Sequence, residues 1–167
     1  MKIEIERKFL VSGDSWRKSA VGIDFRQGYL PTRDSCVVRV RTMGPDSVLT
    51  IKGRTSGISR QEFEYGIPRE DADQLLDSFC ELPLIEKTRY QVQHEGFCWE
   101  VDVFKGENQG LIIAEIELEN ENQKFLLPEW VGNEVSDDPR FFNVNLVKNP
   151  YKNWEDSILA GQSRENG

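Results

Sequence analysis

A single histidine, three cysteines and two methionines are all that this 167-residue chain holds of the side chains that commonly bind soft metals. His94 stands in the polar run Gln93-His94-Glu95-Gly96, which strand–turn–strand composition accounts for fully, so catalysis of the Ser-His-Asp kind is not expected. Cys36, Cys80 and Cys98 are odd in number, far apart and without a CxxC pair. They read as buried, reduced thiols rather than a disulfide frame or a zinc site. No apolar run approaches the roughly 20 residues of a membrane-spanning helix. Charged residues begin almost at Met1, leaving no room for a signal peptide, and a cytoplasmic location follows. A basic excess is missing too: the formal net charge is −8, which argues against nucleic acid or an anionic membrane as partner. A small polyanion stays open, because local arrangement decides that.

What is present is a soluble composition, 38% hydrophobic and 30% charged, in a chain long enough to bury a core without staples. One domain over residues 1–160 is expected, with a polar, disordered tail at 161–167. Side chains alternate faces along a strand, and alternation recurs along this chain. In Lys2-Ile3-Glu4-Ile5-Glu6-Arg7-Lys8-Phe9-Leu10, the residues Glu4, Glu6 and Lys8 share one face against Ile3, Ile5 and Phe9. Arg39 and Arg41 oppose Val38 and Val40; Lys52 and Arg54 follow Thr50 opposite Leu49 and Ile51; Glu62 and Glu64 oppose Phe63 and Tyr65. Lys87 and Arg89 oppose Thr88 and Tyr90, Glu100 and Asp102 oppose Trp99 and Val101, and Glu115 and Glu117 oppose Ala114 and Ile116. A weaker strand over 24–30 carries Gln27 and Tyr29, for about eight strands joined mostly by hairpin-scale turns. Helices are expected over 68–79, where Pro68 and acids precede Leu75, Leu76 and Phe79, over about 120–127, and over 137–146. Trp16, Trp130 and Trp154 read as packing residues.

Each charged face alone suits an exposed sheet surface. Together they do not, because they are nearly all ionisable and come in same-sign pairs that repel, for which stability gives no reason. Eight strands close readily into a small barrel, here with charges inside and the apolar face under helices. Ionised groups cannot be dried cheaply, so the lumen must hold water, metal and a ligand that uses both signs. Carboxylate clusters suit Mg²⁺ or Mn²⁺, and Arg/Lys clusters suit phosphate; a metal–polyphosphate complex needs both.

The residues Glu4-Ile5-Glu6-Arg7-Lys8 form the ExExK signature of the CYTH, or triphosphate tunnel metalloenzyme, superfamily. They are followed in order by Arg39-Val40-Arg41, Leu49-Thr50-Ile51-Lys52-Gly53, Glu62-Phe63-Glu64, Glu86-Lys87-Thr88-Arg89-Tyr90, Glu100-Val101-Asp102 and Glu115-Ile116-Glu117. Over about residues 1–147 the chain resembles that superfamily. Through Gln27-Gly28-Tyr29-Leu30, Ser59-Arg60-Gln61-Glu62-Phe63-Glu64 and Glu134-Val135-Ser136-Asp137-Asp138-Pro139-Arg140-Phe141 it resembles its small bacterial inorganic triphosphatases. The resemblance implies an eight-stranded antiparallel tunnel with flanking helices, an α+β but mainly β fold. A C-terminal helix would pack near or plug one end, with Phe142 at its aromatic position. It implies metal at Glu4, Glu6, Glu115 and Glu117, supported by Glu62, Glu64 and Asp102. Phosphoryl oxygens would meet Lys8, Arg39, Arg41, Lys52, Arg54, Lys87 and Arg89. A further lysine found in some relatives is Leu10 here.

The expected chemistry is hydrolysis of a terminal phosphoanhydride with Mg²⁺ or Mn²⁺, two ions per site about 4 Å apart. Glu4, Glu117, Lys8 and Tyr29 are the catalytic candidates, Tyr29 being equally suited to packing. Positioning and charge neutralisation dominate phosphoryl transfer, so no histidine is required. Rival readings are a class IV-type adenylate cyclase, a nucleoside or thiamine triphosphatase, and a non-catalytic polyphosphate-binding module. A homodimer through the outer sheet or helices is left open. With metal ligands from residue 4 on, N-terminal truncation is expected to impair activity before folding.

Overall fold

In the computed structural model, which describes residues 1–33 and 36–154, nine strands run β1 (Lys2–Val11), β2 (Gly22–Leu30), β3 (Val37–Met43), β4 (Asp46–Lys52), β5 (Ser59–Gly66), β6 (Ile85–His94), β7 (Phe97–Phe104), β8 (Ile112–Glu117) and β9 (Val131–Glu134). Every pairing is antiparallel, in the order β5-β4-β3-β2-β6-β7-β8-β1. β1 then pairs with β5 through Lys2↔Glu62, Ile3↔Gln61, Glu4↔Arg60 and Ile5↔Ser59, closing eight strands into a barrel; β9 adds to β1 outside the ring. Closure leaves no open edge among the eight. The β6–β7 turn needs positive φ at both central residues, and Glu95 (47°) and Gly96 (80°) supply it.

The alternation sets which side faces the lumen. Outward residues Ile5, Phe9, Trp99, Val101, Ala114 and Ile116 form one core with Trp16, Leu118 and Trp130, faced edge-on by Phe125. A second core gathers Ile85, Phe104, Leu111 and Ile113 with Phe141, Leu146, Val147 and Trp154. α1 (Arg69–Ser78) sets Ala72 and Leu76 on Val40, with Glu70 and Asp71 in its first turn complementing the helix dipole. Trp16, Trp130 and Trp154 are all buried, as packing residues should be.

Several expectations change. Residues 120–127 form a turn followed by irregular chain rather than a helix, because Asn120 captures the local backbone: its side chain accepts from Asn122 N and its carbonyl from Gln123 N. The helix expected at 137–146 breaks at Phe142 into a 3-10 turn, Pro139–Phe141, and α2 (Asn143–Lys148). The outer apolar face is covered as much by turns and the 118–130 strap as by helices. Cys36 and Cys98 are exposed and Cys80 half-buried, all three free, so the expected burial does not hold. The tail at 161–167 lies outside the described residues.

Candidate active site

Inside the barrel a cavity of about 290 Å³ is lined by side chains from every one of β1–β8, β2 contributing Tyr29 near its C-terminal end, and by Ser136, Phe142, Asn143 and Val144 of the C-terminal segment. Strand parity delivers the charges: Glu6↔Glu117 and Lys8↔Glu115 on β1–β8, Glu100↔Glu115 on β7–β8, Arg39↔Thr50 on β3–β4, and Thr50↔Glu64 and Lys52↔Glu62 on β4–β5. The C-terminal segment closes the end marked by Lys8, whose Nζ donates to Phe141 O at 3.2 Å and whose backbone N donates to Ser136 Oγ at 2.9 Å. Phe142 lies under the same ammonium, 5.9 Å from ring centroid to Nζ. Lys2 marks the opposite end of β1, paired with Glu117 at 2.5 Å.

Acids and bases here divide into two populations. One set is mutually satisfied. Lys52 Nζ holds Glu4 at 2.8 and 2.9 Å and Glu62 at 3.4 Å. Arg89 binds Asp102 through Nε (2.7 Å) and Nη2 (2.8 Å) and reaches Glu100 at 2.7 Å and Glu115 at 3.6 Å. Lys87 donates to Asp102 at 2.8 Å and to Asn143 at 3.1 Å. Asp102 is thus saturated by two cations; burial opposes its charge, but Arg89 and Lys87 outweigh that and hold it well below the usual carboxylate range.

The second set is satisfied only in part, Arg39 donating through Nη2 to Thr50 Oγ1 at 3.3 Å. Arg39, Arg41 and Arg60 line the cavity, and the buried Nε of each has no hydrogen-bond partner among the described residues. Burial, with Arg39 and Arg89 alongside, pushes Arg41 down to about 9. Its guanidinium and that of Arg89 lie 4.8 and 4.9 Å from the Phe25 ring centroid, a stacking that keeps these cations dry and spread apart. On the acidic side, burial beside Glu115 and Glu4 pushes Glu6 up to about 8. The cavity therefore holds arginines without an ion-pair partner among the described residues on β3 and β5, and on β1 a carboxyl whose charge burial disfavours.

Of the residues expected from sequence, Glu4, Glu6, Lys8, Tyr29, Arg39, Arg41, Lys52, Glu62, Glu64, Lys87, Arg89, Glu115 and Glu117 all line this one cavity. Two do not. Arg54 is exposed past the end of β4, where Gly53 N turns back onto Gln61 O and strand alternation no longer applies. Asp102 sits behind the lining, beneath Lys87 and Arg89. Lys2 and Arg60 share parity with Glu4 and Glu62, a signal that was available in the sequence. Ser136 and Asn143 had no such parity signal, since they arrive on an irregular segment far along the chain, although Ser136 stands in a run that resembles the family. Among the described residues, no three acidic, histidine or cysteine side chains stand gathered around a metal position. The donor set nonetheless fits a hard cation: all-oxygen, with Glu6 short of positive charge.

The CYTH domain family matches residues 2–143. The chain belongs to the CYTH domain family. An inorganic triphosphatase of Acetivibrio thermocellus is 54% identical over 153 residues, covering 92% of this chain and 98% of the relative. One of Nitrosomonas europaea is 38% identical over 149 residues, covering 86% and 96%. A crystal structure of an inorganic triphosphatase superposes with TM-score 0.65 at 36% identity, covering 88% of this chain and 95% of that one. Membership in the CYTH family implies a divalent metal cofactor and a small polyphosphate substrate. No helix among the described residues is long and apolar enough to cross a membrane.

Proposed function

We propose that the protein is a divalent-metal-dependent triphosphatase converting inorganic triphosphate and water to diphosphate and phosphate. The observation that carries this is three cavity-lining arginines with no ion-pair partner among the described residues, Arg39 and Arg41 on β3 and Arg60 on β5, in one cavity with the under-neutralised Glu6. Two relatives, both named inorganic triphosphatase, support the choice of substrate.

Glu6 would hold metal with Glu4, Glu115 and Glu117, and Glu62 and Glu64 extend the acidic wall; Mg²⁺ or Mn²⁺, two per site, suits these oxygens. The metal supplies Lewis acidity, neutralising phosphoryl charge and making water easier to deprotonate. The chain's own part is positioning. Arg39, Arg41, Arg60, Lys52, Lys87 and Arg89 spread the substrate's negative charge over several forks, and Lys8 sits at the closed end against the terminal phosphoryl group. Asp102 acts from behind by fixing Lys87 and Arg89, which replaces its expected place among the metal ligands. Water attacks the terminal phosphorus and passes its proton to a lumen carboxylate, the anhydride P–O bond breaks, and diphosphate leaves with that electron pair.

Among the described residues the aromatic rings lining the cavity are Tyr29 and Phe142, both belonging to the half near the C-terminal segment. The open end, with Lys2, Thr55, Gly57, Ile58 and Arg60, offers no ring on which a nucleobase or thiamine could stack. A cytoplasmic setting suits three free thiols. Purified protein incubated with triphosphate, ATP or thiamine triphosphate, each with Mg²⁺ or Mn²⁺, should release phosphate fastest from triphosphate. Cyclic AMP from ATP, or full metal-dependent release by Glu4→Gln and Glu117→Gln proteins, would overturn the reading.

A further inference from the structure

Gln27 is a puzzle for folding. It is fully buried on β2, and its Oε1 meets no donor among the described residues. A methionine would fill the same space without stranding an acceptor. Its other end is engaged: Nε2 donates to Tyr29 Oη at 3.0 Å and to Asn143 Oδ1 at 3.4 Å.

The direction of this chain of hydrogen bonds can be read from its far end. Lys87 Nζ, which has donors only, lies 3.1 Å from the Asn143 amide, so the atom facing it must be the acceptor Oδ1. The same Oδ1 then faces Gln27, so Gln27 must present its Nε2 hydrogens there. One hydrogen goes to Asn143 and the second to Tyr29, whose phenolic oxygen accepts it. That leaves the Tyr29 hydroxyl hydrogen to point elsewhere, and Tyr29 lines the cavity. Lys8, at the closed end, also has donors only and cannot receive it. The carboxylate beside Lys8, Glu115, is already engaged by Lys8 and Arg89, so a phosphoryl oxygen entering the cavity would be the acceptor for it.

We propose that Gln27 and Asn143 are positioning residues that aim the Tyr29 hydroxyl as a hydrogen-bond donor into the phosphate site. The inference rests on the triphosphatase reading and deepens it. Tyr29 becomes a donor to the substrate rather than a packing residue. Asn143 belongs to the C-terminal segment, so the closing of that end and the orientation of Tyr29 are one event.

The test is a double-mutant cycle on triphosphate hydrolysis. Gln27→Met should lower kcat by about tenfold to a hundredfold and change KM by much less. Placed on Tyr29→Phe, the same change should cost less than about twofold, because the hydroxyl it aims is already gone. Gln27→Glu, an acceptor that would turn the Tyr29 hydrogen onto itself, should fall as far as Tyr29→Phe. At the half-buried position Asn143→Asp, which keeps the acceptor, should retain activity, whereas Asn143→Leu should lose it; this pair decides the matter if Gln27 variants fail to fold. Equal effects of Gln27→Met with and without the Tyr29 hydroxyl, or normal kcat in Gln27→Glu or Asn143→Leu, would overturn the proposal. An unsubstituted protein that leaves triphosphate intact would instead overturn the triphosphatase reading itself.

Discussion

Arg41 shows most directly how a single side chain can be held ready for a ligand. It is nearly buried, stacked on Phe25, and set between Arg39 and Arg89 with no ion-pair partner among the described residues. Its cost to the empty protein and its value to the loaded one have the same origin. Arg41→Met should therefore weaken triphosphate binding by about tenfold to a hundredfold, the worth of one or two charge-assisted hydrogen bonds. In the metal-free protein the same change should leave Tm equal or raise it by roughly 2–4 °C, about 1 kcal/mol for a chain of this size. Calorimetry of binding and of unfolding reads both. A lower Tm would mean that Arg41 is held by pairing rather than strained by its absence. The pairing state of each charge was not legible in the sequence. Arg41 and Arg89 look alike as alternate residues of a strand, yet Arg89 is clamped by Asp102 and Arg41 is not.

Among the elements, β1 carries two duties. Its inward face supplies Glu4, Glu6 and Lys8, and its first four residues form the whole β1–β5 seam that closes the barrel. Truncation was expected to impair activity before folding; the seam makes both fail together. Deleting residues 2–5 should lower Tm by roughly 10 °C or more as well as abolish metal-dependent hydrolysis. Thermal unfolding followed by circular dichroism checks it, and an unchanged Tm with activity lost would restore the earlier expectation. The eight barrel strands and α1 were readable because alternation and helix-start residues are local. The break at Phe142 was not. Phe141 is buried in the second core, with Ile85, Phe104 and Ile113, while Phe142 faces the cavity, and an extended step (φ −70°, ψ 130° at Phe142) sends neighbours to opposite sides where a helix would separate them by about 100°.

Over the whole molecule, charge is partitioned. Eight bases line the cavity against seven acids, and Asp102 behind the wall makes the sides equal, so the formal −8 belongs to the remainder of the chain. An acidic exterior disfavours nucleic acid, whereas the lumen is balanced in number but not in place. Glu6 and Glu100 are both held above the usual carboxylate range by burial, Glu6 at about 8. Such groups bind more protons in the folded than in the unfolded state, so their contribution makes stability fall as pH rises from about 4.5 to 8. Asp102 and Glu115, held low against burial by their cationic neighbours, act in the acid range below this window. The metal-free protein should accordingly lose Tm between pH 5 and 8. Saturating Mg²⁺ should flatten that slope, add about 2.7 kcal/mol at a hundredfold excess over Kd, and release protons at pH 7. Titration calorimetry in buffers of different ionisation enthalpy measures the release. A Glu6→Gln protein with the same slope and the same release would refute this origin.

The amino-acid sequence by itself determined the strands, the face each charge takes and hence the existence of a charged lumen, since side-chain alternation is a property of the extended backbone at every residue. It also specified the α1 start and the β6–β7 turn, which depend on neighbours in the chain. Only the tertiary structure decided which charges neutralise each other, that Asp102 supports rather than lines the site, that Arg54 lies outside it, and that Gln27, Asn143 and Lys87 meet. Those outcomes depend on register across the barrel and on a segment returning from over a hundred residues away, where separation through space, not along the chain, sets the energy of a charge or a hydrogen bond.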